Sequence, residues 1–184
     1  GQGDGYPECL DWNEKRLKEN LRVPNDRRLH VIWTYLKNKQ ANQKSIEEVC
    51  EITDFHAFFI ERIAKLVRLE IEAETCKEEI PDKLLTKLKT NGFGDKHISH
   101  LTGLNQKDIR NQRKKLGMVC SFLMVDTCAG EFEAKTPYFY STYADKKEPF
   151  KTGKSIVILG SGPIRIGQGI EFDYSTVHGV QAAR

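Results

Sequence analysis

A glycine-rich segment near the end of the chain has the residue types of a nucleotide-binding turn. It runs from Gly160 to Gly169 and follows Ser155–Leu159, a short apolar run typical of a buried strand. Glycines after a strand let backbone N–H groups approach a phosphate. The dinucleotide fingerprint needs glycine where Arg165 stands, and the phosphate-binding loop needs Lys and Ser or Thr after Gly167. The spacing therefore favours a structural tight turn over a phosphate site.

A cationic segment has the layout of a nucleic-acid-binding helix-turn-helix. Residues 95–101 and 105–116 have the pattern of two helices joined by Thr102-Gly103-Leu104. The cations that would contact phosphates and bases are Arg110, Arg113, Lys114 and Lys115. A solvated or salt-bridged face is the favoured alternative, because an earlier related segment carries acids that would repel phosphates: Glu47, Glu48, Glu51, Asp54 and Glu61.

Histidine and cysteine patterns give little support for metal or redox chemistry. His97 and His100 could share a metal ion, but no third ligand has matching spacing nearby. The cysteines are odd in number, widely spaced and without a C-x-x-C pattern: Cys9, Cys50, Cys76, Cys120 and Cys128. We therefore predict reduced, mostly packed thiols. No arrangement of Ser, Cys and His indicates a nucleophile, so we predict no catalytic, cofactor or metal site in these 184 residues.

Composition places the chain among soluble globular proteins. Apolar residues make up 39% and charged residues 30%, which excludes disordered and fibrous classes. The net charge of +3 is too small to indicate nucleic acid or an anionic membrane as a partner. No apolar run approaches the roughly 18 residues of a membrane span, and the N-terminal residues lack a signal-peptide pattern. We expect a cytoplasmic protein.

The chain up to Gly117 has the periodicity of packed amphipathic helices. One apolar stripe, which Asn25 or Asp26 could cap, is predicted to be core: Leu29, Ile32, Trp33 and Leu36. Ser45 and Glu48 have the spacing of a capping box. A longer helix would place these residues inward: Phe55, Phe59, Ile60, Ile63, Leu66 and Val67. Pro81 is expected as a first helical residue, with Asn91-Gly92 ending that helix.

The helical part also contains an internal repeat. Five residues reappear 49 positions later with the same chemistry. Val49, Ile52, Thr53, Phe55 and Ile60 correspond to Ile98, Leu101, Thr102, Leu104 and Ile109. We therefore predict a duplicated helix pair.

Beyond Met118 the helical period ends. Pro137–Tyr143 is predicted to be extended, and Asp145–Pro149 to be a polar linker. The predicted fold is mainly α, with a helix-turn-helix-like duplication in residues 1–150 and a truncated strand–loop–helix α/β tail in residues 151–184. One parallel strand and one helix cannot cover each other, so we expect a larger α/β domain to continue beyond Arg184.

Several motifs resemble one known family. Ile158–Ser175 looks like the opening of the second synthetase half of the large subunit of carbamoyl-phosphate synthase. Val125–Phe132 and Thr136–Tyr143 are similar to the segment that leads out of that family's helical middle domain, and Gly92–Ile98 and Asp108–Arg110 are similar to the domain itself. The resemblance is strong from about Gly92 onward and loose before it.

The resemblance implies a fragment: a helical oligomerisation domain that joins two ATP-using halves, plus the start of the second half. The whole enzyme would make carbamoyl phosphate, for pyrimidine or arginine synthesis, from bicarbonate, glutamine-derived ammonia and two ATP. ATP and Mg²⁺ (or Mn²⁺) would bind domains outside this chain, so the fragment would be non-catalytic. Implied partners are the other domains of the parent chain, a glutamine amidotransferase subunit or domain, and further copies of the chain.

By the same resemblance, Gly169 and Glu171 would border the passage that brings carbamate to the second phosphorylation site. The residues that would shape the wall of this passage are Gly160, Gly162, Arg165, Gly167 and Gln168. In the fragment alone we favour the simpler interpretation that Glu171 stabilises a helix start near the positive end of its dipole. For self-association, two apolar groups are candidates: Trp12, Leu17 and Leu21, or the aromatic residues around Phe55–Phe59.

Overall fold

The computed structural model describes residues 8–133, 139–143, 156, 158 and 171–183. The chain divides into two compact units, Gly1–Glu148 and Pro149–Arg184. Helices dominate the described residues, as predicted. They begin with a 3-10 turn, Glu8–Asp11, followed by α1 Glu14–Arg22, α2 Arg28–Asn38, α3 Gln43–Thr53, α4 Ala57–Glu74, α5 Asp82–Thr90, α6 Asp95–Thr102, α7 Gln106–Lys115 and, in the second unit, α8 Glu171–Ala183.

The helical body has two apolar cores, and α4 contributes to both. The first core lies among α1 to α4 and includes Leu21, Val31, Ile32, Tyr35, Leu36, Ile46 and Val49. The second lies among α4 to α7 and includes Leu84, Leu85, Leu88, Phe93, Ile98, Leu101 and Ile109. From α4, Ile60, Ala64 and Val67 enter the first core. Leu69 and Ala73 enter the second.

The predicted duplication is present in the hydrogen bonds of the two helix-to-helix turns. At the end of α3, the Thr53 hydroxyl donates to the Val49 carbonyl and accepts from the Phe55 amide. The same two bonds recur at the end of α6, among Thr102, Ile98 and Leu104. Each of these residues is displaced by 49 positions. The two turns therefore have the same local geometry.

The residues that end α3 and α6, the first helix of each repeat, are also equivalent. Asp54 (φ 58°) and Gly103 (φ 79°) both adopt the left-handed conformation that ends a helix and turns the chain. The next helix is then capped at equivalent positions, by His56 accepting from an amide two residues on and by Asn105 doing the same.

Helix starts differ from the sequence expectations in three places. The cap of α3 is Asn42, which accepts from the Ser45 amide, while Glu48 instead accepts from the Tyr35 hydroxyl. The capping-box prediction is wrong because Asn42 begins the helix earlier. The first residue before α2, Arg27, makes no side-chain cap bond. Asn25 accepts from the Arg27 amide ahead of the helix and donates to carbonyls at the end of α1, those of Asn20 and Val23. Pro81 lies just before α5 rather than inside it, and Asn91 and Gly92 end that helix as predicted.

Burial corrects three further expectations. Leu29 is 62% exposed, so the predicted core stripe begins at Ile32. Phe55 and Phe59 are 37% and 61% exposed and do not point inward with Ile60. Leu17 and Leu21 were candidates for a self-association surface, but both lie in the first core. They belong to α1, a helix that the sequence analysis missed although Asn13 caps it and the two leucines have helical spacing.

A short antiparallel sheet follows α7. Strand β1 (Ser121–Met124) pairs with β2 (Phe139–Thr142), with Ser121 opposite Thr142 and Met124 opposite Phe139. The extended conformation predicted for the aromatic segment is confirmed for β2, whereas β1 was not predicted. The predicted linker, Asp145–Pro149, lies outside the described residues. Among the residues that are described, no helix combines the length and apolar character that crossing a bilayer requires.

Candidate functional site

Most of the residues predicted to form the wall of the carbamate passage lie outside the described residues. This holds for Gly160, Gly162, Arg165, Gly167, Gln168 and Gly169. Glu171 is the first residue of α8, a position that fits the expected helix start. Ile158 packs on α8 at Gly179, where an added Cβ would lie 3.3 Å from Ile158 Cδ1. Whether the glycine segment shapes a passage or only a tight turn stays a prediction.

A buried ion cluster joins the second helix pair to the segment that leaves the helical body. Lys89 is 3% exposed, and its ammonium group donates to the Phe93 carbonyl at 2.8 Å and to Asp95 Oδ1 at 2.6 Å. Arg113 donates from Nε to Asp95 Oδ2 at 2.9 Å and from Nη1 to the Met118 carbonyl at 3.2 Å. One carboxylate thus connects the end of α5, the start of α6 and the end of α7.

The electrostatics of this cluster suit it to holding elements together. Burial alone would raise the pKa of Asp95, but hydrogen bonds from Lys89 and Arg113 outweigh it and leave that pKa below its usual value. A carboxylate with a lowered pKa is a weak base at neutral pH. Asp95 is therefore an ionic tether rather than a proton acceptor.

Tyr143 connects the exit segment to this cluster. It directly follows β2, and its ring centroid lies 4.6 Å from Lys89 Nζ and 5.5 Å from Arg113 Cζ. Both cations are shielded from water, where cation–π attraction is strongest. A cleft of about 500 Å³ lies beside the ring, lined by the turn before α6 and by residues at one end of the sheet, where β1 begins and β2 ends. The contact fixes the end of β2 against the helical body.

Sequence reasoning missed this cluster, although one signal was present. Lys89 follows Leu85 by four residues, so it lies on the apolar face of α5. A lysine at a core position needs an anionic partner, because a buried unpaired charge is costly. That partner could not be chosen from sequence.

A second, partly buried ion cluster ties α2 to α4. Lys37 contacts Glu70 and, at 2.7 Å, Glu74. Burial disfavours the lysine's charge, yet the two carboxylates raise its pKa. Glu70 is 2% exposed and lies on α4 between residues of the two cores, so the pair fixes the rotation of this helix.

The helix-turn-helix geometry is present, but one of its expected nucleic-acid contacts is already engaged. α6 and α7 are joined by the predicted short turn, and Arg110, Lys114 and Lys115 are exposed. Arg113 instead points to Asp95, which removes it from the set of candidate contacts.

His97 and the cysteines are at least partly buried, whereas His30, His56, His100 and His178 are exposed. The His97 ring stacks on Phe93 with centroids 5.1 Å apart, and burial lowers the pKa of His97. Within the described ranges, no group of three or more His, Cys, Asp or Glu side chains could hold a metal ion. The cysteines are free thiols, with Cys9 buried and the others half-buried.

The aromatic residues at the start of α4 form an exposed surface. Phe55, Phe58 and Phe59 are 37%, 49% and 61% exposed. The rings of Phe58 and Phe59 pack edge to face with centroids 5.4 Å apart. Arg62 lies 4.9 Å from the Phe58 ring and Arg28 lies 4.9 Å from the Phe55 ring. Phe55, Phe58 and Phe59 together are called the aromatic surface below.

We expect Tyr143→Ala to release the end of β2, because both cations lose the ring that covers them. Amide hydrogen exchange in residues 121–124 and 139–142 should become about tenfold faster, as expected for one shielded cation–π contact. Tyr143→Phe keeps the ring and should exchange like the wild type. Unchanged exchange in Tyr143→Ala would show that this contact does not hold the sheet.

Comparisons with known proteins agree with the two units. The family model described as carbamoyl-phosphate synthetase large chain, oligomerisation domain, matches residues 3–117, and the carbamoyl phosphate synthase preATP-grasp domain matches residues 152–184. The carbamoyl phosphate synthase large chain of Methanosarcina acetivorans is 46% identical over 94% of this chain and 16% of its own length.

The arginine-specific large chain of Halalkalibacterium halodurans is 40% identical over 99% of this chain and 17% of its own length. The chain thus spans about one sixth of these curated relatives. Because a single family model accounts for residues 3–117, well over half of the sequence, the chain belongs to the oligomerisation-domain family of carbamoyl-phosphate synthetase large chains.

Proposed function

We propose that this chain is a connecting and self-association segment of a carbamoyl-phosphate synthase large chain. The helical body, up to about residue 150, would join the two ATP-using halves of the parent. Residues from 151 onward would open the second half. Two successive matches support this order, an oligomerisation domain followed by a preATP-grasp domain. The ion cluster at Lys89, Asp95 and Arg113, with Tyr143, would fix the direction in which the chain leaves the body.

The chemistry of the parent would take place outside these residues. ATP and its metal ion would bind neighbouring ATP-grasp domains, and ammonia would come from a glutamine amidotransferase subunit or domain. Gly169 and Glu171 would border the carbamate passage only when the rest of the second half completes its wall. The segment itself would position domains and would not catalyse a reaction.

The self-association proposal rests on a difference between the two repeats. Phe58 and Phe59 are exposed on α4, and the equivalent positions on α7 hold Lys107 and Asp108, also exposed. The same turn therefore forms with polar residues at these positions, so folding does not require the two aromatic rings. Exposed aromatic pairs are typical of the centres of protein–protein interfaces.

We expect the double variant Phe58→Lys with Phe59→Asp to associate more weakly than the wild type. The substitutions copy the residues of the second repeat, so the fold should tolerate them with a Tm change within about 2 °C. Loss of two interface aromatics should raise the dissociation constant at least about tenfold, measured by light scattering over a concentration series.

Val119→Lys, at an exposed apolar residue outside the aromatic surface, serves as the control and should associate like the wild type. A wild-type chain that stays monomeric at every concentration would contradict the self-association proposal and leave the connecting role in place.

We also expect the purified 184-residue chain to form no carbamoyl phosphate from bicarbonate, ammonia and ATP. The physical reason is that neither ATP-grasp domain is contained in it. The assay is a radiolabelled-bicarbonate measurement beside the complete enzyme. Reproducible turnover by the pure chain would show that the chemistry had been assigned to the wrong part of the parent.

A further inference from the structure

Positive charge is concentrated on one helix of the second repeat. Helix α7 carries five cationic residues and one acid, Asp108, whereas the net charge of the whole chain is only +3. The residues outside α7 are therefore slightly acidic when taken together. A local excess of cations on one element attracts an anionic partner even where the net charge of the chain is small.

The inward face of α7 is used by the fold. Of the ten residues of this helix, all of them described, only Ile109 is buried. Gln112 donates to the Ile80 carbonyl at 2.6 Å, and Arg113 donates to Asp95 at 2.9 Å. Residues at i, i+3 and i+4 lie on one face of a helix, so these three anchors fix the rotation of α7.

The outward face of α7 carries a polar, cationic stripe. Lys107, Arg110, Asn111 and Lys114 have the spacing i, i+3, i+4 and i+7, so they share one face of the helix, opposite Ile109. All four are exposed. Within the part of the chain that the structure describes, the three cations of this stripe form no ion pair. We call these four residues the basic stripe.

The helix pair does not need the basic stripe in order to form. Its equivalents in the first repeat, 49 residues earlier, are Phe58, Glu61, Arg62 and Lys65 on α4. The same turn precedes both helices. The identity of the outward residues is thus free of the constraint that keeps Ile60 and Ile109 buried.

The acids of the first repeat do not lie on the helices that hold α7. Helix α7 packs on α5 and α6, whereas Glu47 and Glu51 lie on α3 and Glu61 lies on α4. The carboxylate of Asp95 at the start of α6 is already bound by two cations. Asp108, at the margin of the basic stripe, is the acid that α7 itself would bring to a partner.

We propose that α7 is a recognition helix that binds the major groove of duplex DNA. In a helix-turn-helix the second helix enters this groove and places the residues of its first turns against base edges. Lys107 and Arg110 carry the donors that bind guanine O6 and N7, and Asn111 carries the amide that binds adenine. Lys114 and Lys115, near the end of α7, would contact phosphates. This activity is separate from the proposed connecting role.

The chemistry of α7 favours duplex DNA over other nucleic acids. The major groove of an RNA duplex is too narrow and deep for a helix to read. Proteins that bind single strands stack the bases on aromatic side chains, and α7 contains none. A cationic helix with arginine and asparagine on one face instead matches the groove of B-form DNA.

Fluorescence anisotropy with a labelled DNA duplex of about 20 base pairs tests the proposal on the 184-residue chain. The wild type should bind the duplex at about 50 mM salt. Raising the salt to about 200 mM should weaken binding roughly 40-fold, as expected when about three phosphates release their counterions.

Two lysines at equivalent positions of the two repeats give a matched pair of variants. Lys114→Glu should weaken duplex binding at least about tenfold, because it replaces a phosphate contact with a repelled charge. Lys65→Glu makes the same change at an exposed residue of α4 and should bind within about twofold of the wild type.

A gain of affinity is expected from Asp108→Asn, which removes the acid beside the basic stripe. This variant should bind the duplex about threefold more tightly than the wild type. Glu19→Gln makes the same charge change at an exposed residue of α1 and should have no effect. Circular dichroism should show all four variants folded, so that changes in binding are not due to unfolding.

Three results would overturn the proposal. If the wild type does not bind the duplex at about 50 mM salt, the basic stripe is only a solvated surface. Equal weakening by Lys65→Glu and Lys114→Glu would mean that the charge of the whole chain attracts DNA and that α7 does not. Equal affinity for an RNA duplex of the same sequence would exclude insertion of α7 into the major groove.

Discussion

Everything in the helical body depends on α4 belonging to two apolar cores at once. Its first half packs Ile60, Ala64 and Val67 among α1 to α3, and its second half packs Leu69 and Ala73 among α5 to α7. Neither helix group can lose this helix without exposing apolar side chains. The buried contact between Glu70 and Lys37 fixes its rotation near the border of the cores. The two repeats are thereby held as one body.

The helical body contains two equivalent turns, but the exposed side chains around them differ. The Thr53 and Thr102 hydroxyls make the same bonds, so the backbone is repeated. The exposed positions are free to vary, because they do not take part in these bonds. Aromatic and acidic residues occupy the first copy, while basic residues and the tether to Tyr143 occupy the second. The first copy thus carries the surface that we propose for association, and the second carries the contact that holds the exit segment.

Local signals were enough to predict most of the helices after α1 and the repeat, because apolar spacing and left-handed stops depend on nearby residues. The same signals failed where a long-range contact decides. Leu17 and Leu21 look like a surface stripe in the sequence, but α2 and α3 pack against their helix. Asp95 looks like an ordinary first-turn acid, but in the fold it binds Lys89 and Arg113. The family resemblance located the glycine segment in the chain, but its wall would be completed by residues of the parent outside this sequence.

Removing side-chain volume from one core and observing the other shows whether α4 unites them. Both tryptophans, Trp12 and Trp33, pack against the first core, so their fluorescence reports on it alone. Leu85→Ala leaves that core untouched but removes buried methyl groups from the second, at a cost of about 2–5 kcal/mol. If α4 unites the cores, the urea midpoint of the tryptophan signal should fall with the global stability. A tryptophan midpoint equal to that of the wild type would show that the two repeats unfold independently and contradict the account.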